Sequence, residues 1–114
     1  MTTVTLGVVS IDDAKQQLAA AFRGEPQGER IDFASVDVLW PVLAPKRWRI
    51  LQAMAGEGPL AIREVARRVG RDVKAVHGDV HALLAAGVLD RTTRGQVVVP
   101  YDRVHVDFSL AARA

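Results

Sequence analysis

Four side chains that bind anions or nucleic-acid bases recur at helical spacing in RDVKAVHGDVHALLAAG, residues 71–87. Arg71, Lys74, His77 and His81 follow one another at intervals of three or four residues, so a helix would place them along one face. Arginine can form paired hydrogen bonds with guanine or phosphate, lysine supplies a point charge, and histidine donates to bases or phosphates. The spacing therefore predicts a helix face suited to a polyanion.

The charge of the chain is concentrated around the start of this segment. The formal net charge is only +2, but residues 45–77 contain eight basic and three acidic residues, whereas residues 1–44 contain three basic and six acidic. A basic middle beside an acidic flank favours a nucleic acid as the partner. The alternative is that these arginines serve only as good helix formers on solvated faces.

Composition excludes several classes of protein. The chain has 114 residues, 49% of them hydrophobic, which is enough for one domain with its own core. It has no cysteine, which excludes disulfides and thiolate metal sites and fits a cytoplasmic protein. We expect no membrane segment and no signal peptide. Because neither a phosphate-binding loop nor a catalytic set of residues is present, we expect no enzyme activity and no cofactor.

The elements that would position the basic face are three short helices and a hairpin. Pro45 begins the first helix in PKRWRILQAMAGEG, and PLAIREVARRVG forms the second, which ends at the turn glycine Gly70. Asp72 caps the third helix, and Gly87 follows its end. Its inward stripe is Val73, Val76, Val80, Leu83 and Leu84. The three helices are followed by a hairpin, with strands at 88–91 and 96–99 joined by the turn TTRG.

This order predicts a winged helix-turn-helix, in which the third helix enters the major groove and the hairpin tip reaches the backbone or the minor groove. Asp79 and Ala82 should lie at the flanks of the outward face. Gly78 costs about 1 kcal/mol in a helix, and it either allows close backbone approach or has no function. The candidate DNA contacts are Arg63, Arg67, Arg68, Arg71, Lys74, Ala75, His77, Gly78, His81, Arg91, Thr93 and Arg94.

Further elements flank this core, so the predicted fold class is α+β. The core lies in a DNA-binding domain at 44–114 that ends in a strand near Arg103–Leu110, preceded by a β-α extension at 1–43. We predict a strand at Thr3–Val9, a loop at Gly24–Arg30 and a short strand at 30–33. Ser10 should cap a helix that packs its apolar face inward, and Ser35 should cap a shorter one. That inward face is Ile11, Ala14, Leu18, Ala21 and Phe22.

The stretches PKRW, RRVGRDVKAVHGDV, GVLDR and PYDRVHVDF resemble the MarR-like winged-helix transcriptional regulators of prokaryotes, and the similarity covers nearly the whole chain. The resemblance implies sequence-specific binding of double-stranded DNA, most often as a repressor. Members of that group are often antitoxins, so a cognate toxin is an expected partner. Ala61 departs from the pattern, because a serine would be expected to cap the second helix.

Two alternative functions and one assembly are open at this point. His77 and His81 could both face one metal ion, as in a metal-responsive sensor, although further ligands would have to come from Asp79 or another subunit. A winged helix can also serve only for protein contacts. A single module contacts little DNA, so we expect a homodimer formed through the N-terminal strand and helix and the C-terminal strand. Its buried residues would be Leu6, Val8, Val104, Val106 and Phe108.

Overall fold

The computed structural model describes residues 2–24 and 29–110. In this part of the chain it contains five helices, a parallel three-stranded sheet and a small antiparallel hairpin, so the α+β class is confirmed. The elements are β1 (Thr3–Val8), α1 (Ile11–Phe22), β2 (Glu29–Phe33), α2 (Val36–Val42), α3 (Pro45–Met54), α4 (Ile62–Val69), α5 (Val73–Ala85), β3 (Asp90–Arg91), β4 (Val97–Val98) and β5 (Arg103–Asp107). None of the described helices is long and apolar enough to cross a membrane.

The sheet has the order β2-β1-β5, with both pairings parallel. Leu6 in the central strand lies opposite Ile31 on one side and Val106 on the other. Val4 and Leu6 are fully buried, because alternate residues of β1 point to the same apolar face. Along β5 that face is only half-buried, and Phe108 beyond the strand makes an edge contact with Trp40 at 5.6 Å between ring centroids.

One hydrophobic cluster joins the sheet to the helices. Val4 and Leu6 belong to the same cluster as Ile50 of α3, Val65 of α4 and Val80 of α5, and all five side chains are fully buried. Because β5 also pairs with β1, sheet and core both cross the boundary that we placed after residue 43. The helices that carry the basic residues are therefore held against a core to which the N-terminal strand contributes.

The helix starts follow the predicted capping residues. Ser10 accepts a hydrogen bond from Asp13 N at 3.1 Å, and Ser35 accepts one from Val38 N at 3.4 Å. Pro45 is the first residue of α3, and Ala61 makes no capping bond to α4. The predicted inward stripe of α5 is wrong at one residue. Val73 is 41% exposed, because it is the first residue of α5 and lies before the turn that packs on the core.

The hairpin is present, but its strands have two residues each and are shorter than predicted. Gly95 has φ +77°, as the turn requires, and Thr92 N donates to Gln96 O at 2.8 Å. The sequence pattern did not indicate that a third segment pairs with the hairpin. Leu60 pairs with Val97 through two backbone hydrogen bonds of 2.8 Å each, which attaches the segment before α4 to the hairpin.

The predicted packing of α1 is wrong. Ile11, Leu18 and Phe22 are 76%, 59% and 84% exposed, and none of the residues of α1 is buried by the described part of the chain. Only Gln17 and Ala20 on this helix are half-buried. The apolar face of the sheet already joins the cluster with α2 to α5, so within the described residues the stripe of α1 does not share that face. The predicted loop at 24–30 lies mostly outside the described residues.

Two leucine substitutions test this arrangement. Leu6→Ala should lower the free energy of unfolding by about 2–5 kcal/mol, because it leaves a cavity in the central strand. Leu18→Ala on α1 should change it by no more than about 0.5 kcal/mol in dilute solution, because the side chain is exposed. Urea unfolding at submicromolar protein concentration measures both. Equal losses for the two variants would place α1 in the core and contradict the described packing.

Candidate nucleic-acid interface

The turn between α4 and α5 is built by backbone conformation and a side-chain cap. Gly70 adopts φ +66°, a left-handed conformation that costs glycine little, and the N–H of Arg71 donates to Ala66 O at 3.1 Å. Asp72 then accepts hydrogen bonds from the N–H groups of Lys74 and Ala75 at 3.1 and 3.3 Å. The carboxylate thus satisfies the first turn of α5 and fixes where that helix begins.

Helix α5 has a buried side and an exposed side. Val76, Val80 and Leu83 pack into the core, and the outward residues predicted from the sequence are exposed: Lys74, Ala75, His77, Gly78 and His81. A side chain at Gly78 would meet nothing within 4 Å. No close approach within the described chain therefore requires a glycine at this position, which leaves a smooth patch in the middle of the exposed face.

Asp79 does not lie at the flank of this face, as the sequence suggested. It is buried, with 5% of its surface exposed, and it is held between two arginines from other parts of the motif. Arg47 Nε of α3 donates to Asp79 Oδ1 at 3.0 Å, and Arg71 Nη2 lies 2.9 Å from Oδ2. The prediction failed because a carboxylate at this position looks solvated until the two arginines converge on it.

The charge balance in this cluster keeps Asp79 ionised. Burial opposes the charged form, but the hydrogen bonds and charges of Arg47 and Arg71 outweigh it and hold the pKa of Asp79 below its usual value. Arg47 also donates through Nη1 to Pro41 O at 2.7 Å, which ties α3 to the end of α2. Arg71 Nη1 is buried without a hydrogen-bond partner in the described structure. Arg71 is thus held at the entry to α5 with one donor still unused.

Two of the predicted arginines on α4 are paired with acids. Arg67 and Arg68 both donate to Glu64, with Arg67 Nε at 3.0 Å and Arg68 Nε at 3.1 Å from its oxygens. The hydrogen bond from Arg67 and, to a smaller extent, the one from Arg68 lower the pKa of Glu64 to about 2, so the carboxylate stays charged at neutral pH. Arg68 also lies 3.1 Å from Glu57. These acids offset much of the positive charge that the sequence places on α4.

Other predicted residues carry charge without an acidic partner. Arg63 on α4, Lys74 on α5, and Arg91 and Arg94 on the hairpin are exposed and form no ion pair with any residue of the described ranges. Thr93 at the hairpin turn is exposed as well. The structure therefore divides the candidates into cations that are neutralised within the chain and cations that are available to a partner.

The two histidines of α5 touch each other. His77 Nε2 and His81 Nε2 lie 3.2 Å apart, and the ring centroids are separated by 4.2 Å. Asp79, which we considered as a further metal ligand, points to the other side of the helix and is occupied by arginine. No group of three or more histidine, cysteine or acidic residues that could hold a metal occurs among residues 2–24 and 29–110.

A large groove lies elsewhere. Its volume is about 620 Å³, and its lining is mostly apolar: Asp37, Trp40, Pro41, Leu43, Ala44, Pro45 and Trp48. These residues belong to α2 and α3 and the residues between them, so the groove includes no side chain of α5 or the hairpin. It is therefore distinct from the candidate nucleic-acid interface.

One residue of the site escaped the sequence analysis. Arg47 precedes Asp79 by 32 positions, so no local spacing connects the two. The only available signal was the buried side of α5 itself, since Asp79 directly precedes Val80 and follows Val76 by three residues on the apolar stripe. A charged residue within such a stripe requires a partner of opposite charge.

Residues 42–106 match the protein-family model described as HVO_A0114. The match spans more than half of the chain and runs from the end of α2 into β5, so it includes every residue of the candidate interface. A comparison with curated proteins gave no match.

Substitution of the buried carboxylate tests the cluster. Asp79→Asn keeps the shape but removes the charge that Arg47 and Arg71 share, so at neutral pH we expect a loss of about 1–3 kcal/mol in unfolding free energy. The folded-state pKa of Asp79 is lowered, so its stabilising contribution is complete above pH of about 4 and disappears as pH falls through that lowered pKa.

Denaturant unfolding of both proteins between pH 7 and pH 2.5 measures this effect. The difference between the wild type and Asp79→Asn should be constant near neutrality and shrink in acid. A difference that is independent of pH would show that the carboxylate charge does not stabilise the fold.

Proposed function

The chain belongs to the HVO_A0114 family, and we propose that it is a transcriptional regulator that binds double-stranded DNA through a winged helix-turn-helix. Helices α3, α4 and α5 pack around one core, a left-handed glycine joins α4 to α5, and a hairpin follows. This order and geometry are compatible with the motif, in which the third helix lies in the major groove.

One observation carries the proposal. Three exposed cations that lack an acidic partner in the described structure lie on the two elements that a winged helix turns toward DNA. Lys74 is exposed in the first turn of α5, and Arg91 and Arg94 are exposed on the hairpin. Basic side chains that neutralise phosphates release counterions from DNA, and this release supplies most of the sequence-independent affinity. Cations already paired within the chain, such as Arg67, would contribute less.

Arg71 has a different part in this proposal. Asp79 fixes its guanidinium at the start of α5, so the side chain loses little freedom when it meets a base edge or a phosphate. The Arg71 side chain remains 27% exposed beside Asp79, and this exposed part is what a duplex would contact. The exposed surface at Gly78 would then allow the helix backbone to approach the groove closely. In this arrangement Arg71 reads sequence, and Lys74 and the hairpin arginines supply affinity.

The resemblance to MarR-like regulators extends the proposal to repression and to a cognate toxin as partner. Repression requires only that the protein occupy an operator. A toxin would need its own surface, and the acidic region at residues 1–44 lies outside the interface proposed for DNA. A protein-contact role without DNA binding is the competing function, and it predicts no salt-sensitive affinity for DNA.

Salt dependence of DNA binding separates free from paired cations. Lys74→Ala and Arg94→Ala should each weaken binding to unrelated duplexes to a similar extent and reduce the slope of log K against log salt by about one unit. Fluorescence anisotropy with two duplexes of different sequence measures the slope. Arg67→Ala is the matched control, because Glu64 already neutralises this exposed arginine, and its slope should change less. No affinity of the wild type for any duplex at low salt would refute DNA binding.

Base readout is tested at Arg71. Arg71→Ala should cost about 1–3 kcal/mol in binding to the operator, and it should do so without an equal loss on unrelated DNA. Because this variant also leaves Asp79 without one of its arginines, folding must be checked by circular dichroism and thermal unfolding. A folded variant with unchanged operator affinity would remove Arg71 from the interface.

A homodimer forms part of the same proposal, but Leu6 is fully buried within its own chain and, contrary to the prediction from the sequence, cannot belong to the interface. The apolar stripe of α1 is exposed, and so is much of the groove at Trp40. A two-fold pair would place each stripe in the groove of the other copy and cover both surfaces together. The charges are complementary as well, because Asp12 and Asp13 begin α1 while Lys46 and Arg49 are exposed on α3 beside the groove.

Sedimentation tests this assembly. The wild type should be a dimer at micromolar concentration, and Phe22→Asp should shift it to monomer by placing a charge within the covered stripe. Leu110→Asp, at an equally exposed apolar residue outside α1, is the control and should leave the dimer intact. A monomeric wild type, or a Phe22→Asp variant that remains dimeric, would contradict the assembly.

A further inference from the structure

We propose that His77 and His81 form a two-ligand site for a divalent transition-metal cation such as Zn²⁺, on the face of α5 that we assign to DNA. The two side chains are one helical turn apart, and both are exposed. Their Nε2 atoms are 3.2 Å apart. Two imidazole nitrogens bound to one Zn²⁺ at about 2.0–2.1 Å must lie about 2.8–3.4 Å from each other for bond angles between about 90° and 109°. The observed separation falls within this range.

The pair needs little rearrangement to accept a cation. At present one Nε2–H can donate to the other Nε2, so the two nitrogens already point toward a common region. A change to the tautomer with the proton on Nδ1 frees both Nε2 lone pairs for a metal, and small rotations of the exposed rings direct them to it. Nothing lies near a side chain placed at Gly78, so the neighbouring surface leaves room for further ligands.

The surrounding charges set the strength of the site. Asp79 is buried and forms ion pairs with Arg47 and Arg71, so it supplies no ligand to the metal. Lys74 precedes His77 by three residues on the exposed face, and its positive charge lowers the affinity for a cation. We therefore expect a site of modest affinity, with the open coordination positions taken by water or by an oxygen of a bound phosphate.

The chain provides a clean test, because it has three histidines and no cysteine. Zn²⁺ is titrated calorimetrically into the full, untagged protein and into His77→Gln, His81→Gln and His105→Gln. His105 on β5 is exposed and makes no contact with the other two, so it is the matched control. Loss of either ligand of a chelate removes an intramolecular second contact, so His77→Gln and His81→Gln should each weaken binding at least about tenfold. His105→Gln should bind as the wild type does.

Thermal unfolding gives an independent readout of the same site. Zn²⁺ should raise the melting temperature of the wild type and of His105→Gln, and should have little effect on the other two variants. Without zinc all four proteins should melt alike, because every substituted side chain is exposed. Equal zinc affinity in all four proteins, or a loss in His105→Gln equal to that in His77→Gln, would overturn the proposal.

The position of the site rests on the proposed function and has its own test. A bound Zn²⁺ adds positive charge to the DNA-facing surface, so zinc should strengthen DNA binding by the wild type and not by His77→Gln. Zinc binding that depends on both histidines but leaves DNA affinity unchanged would overturn the placement of the pair on the DNA face. Failure of the proposed function would show separately, as no DNA binding with or without zinc.

Discussion

A buried carboxylate organises the part of this protein to which we assign function. Asp79 is the one buried charged residue among those described, and it receives Arg47 from α3 and Arg71 from the turn before α5. A charge in this position is stable only because both arginines reach it, and each of them depends on it in turn. One interaction therefore links α3 to α5 and holds the first side chain of the candidate interface, Arg71.

Ion pairing also decides which cations remain available to a partner. The sequence places eight basic residues between positions 45 and 77, but in the folded chain Glu64 pairs with Arg67 and Arg68, and Asp79 pairs with Arg47 and Arg71. Of these eight, Lys74 on the exposed side of α5 stays without an acidic partner in the described chain, and so do Arg91 and Arg94 of the hairpin. A surface with a few free cations on two separate elements suits a grooved, regularly charged duplex better than a dense basic patch would.

Local sequence signals predicted most of the fold. Ser10, Ser35 and Asp72 cap helices as expected, Pro45 begins α3, and Gly70 and Gly95 adopt the left-handed conformations that their turns require. These features depend on neighbouring residues, so a single sequence contains them. The outward face of α5 was predicted for the same reason, because the helical period alone determines it.

The features that the sequence did not reveal depend on contacts between distant residues. Leu60 pairs with Val97, and Arg47 pairs with Asp79, across 37 and 32 positions, so no periodicity connects them. The stripe of α1 shows the opposite error. Its spacing correctly indicates an amphipathic helix, but the period cannot tell whether the apolar side meets its own core or stays exposed for another chain.

The central claim is that the exposed side of α5 and the hairpin tip form one DNA-binding surface. Amide chemical-shift changes during titration of the ¹⁵N-labelled protein with a short duplex at low salt test it most directly. The account predicts that the largest changes cluster at residues 71–78 and 91–95, with small changes in α1 and in the groove at Trp40. Changes confined to α1 or to that groove, with α5 and the hairpin unaffected, would contradict it.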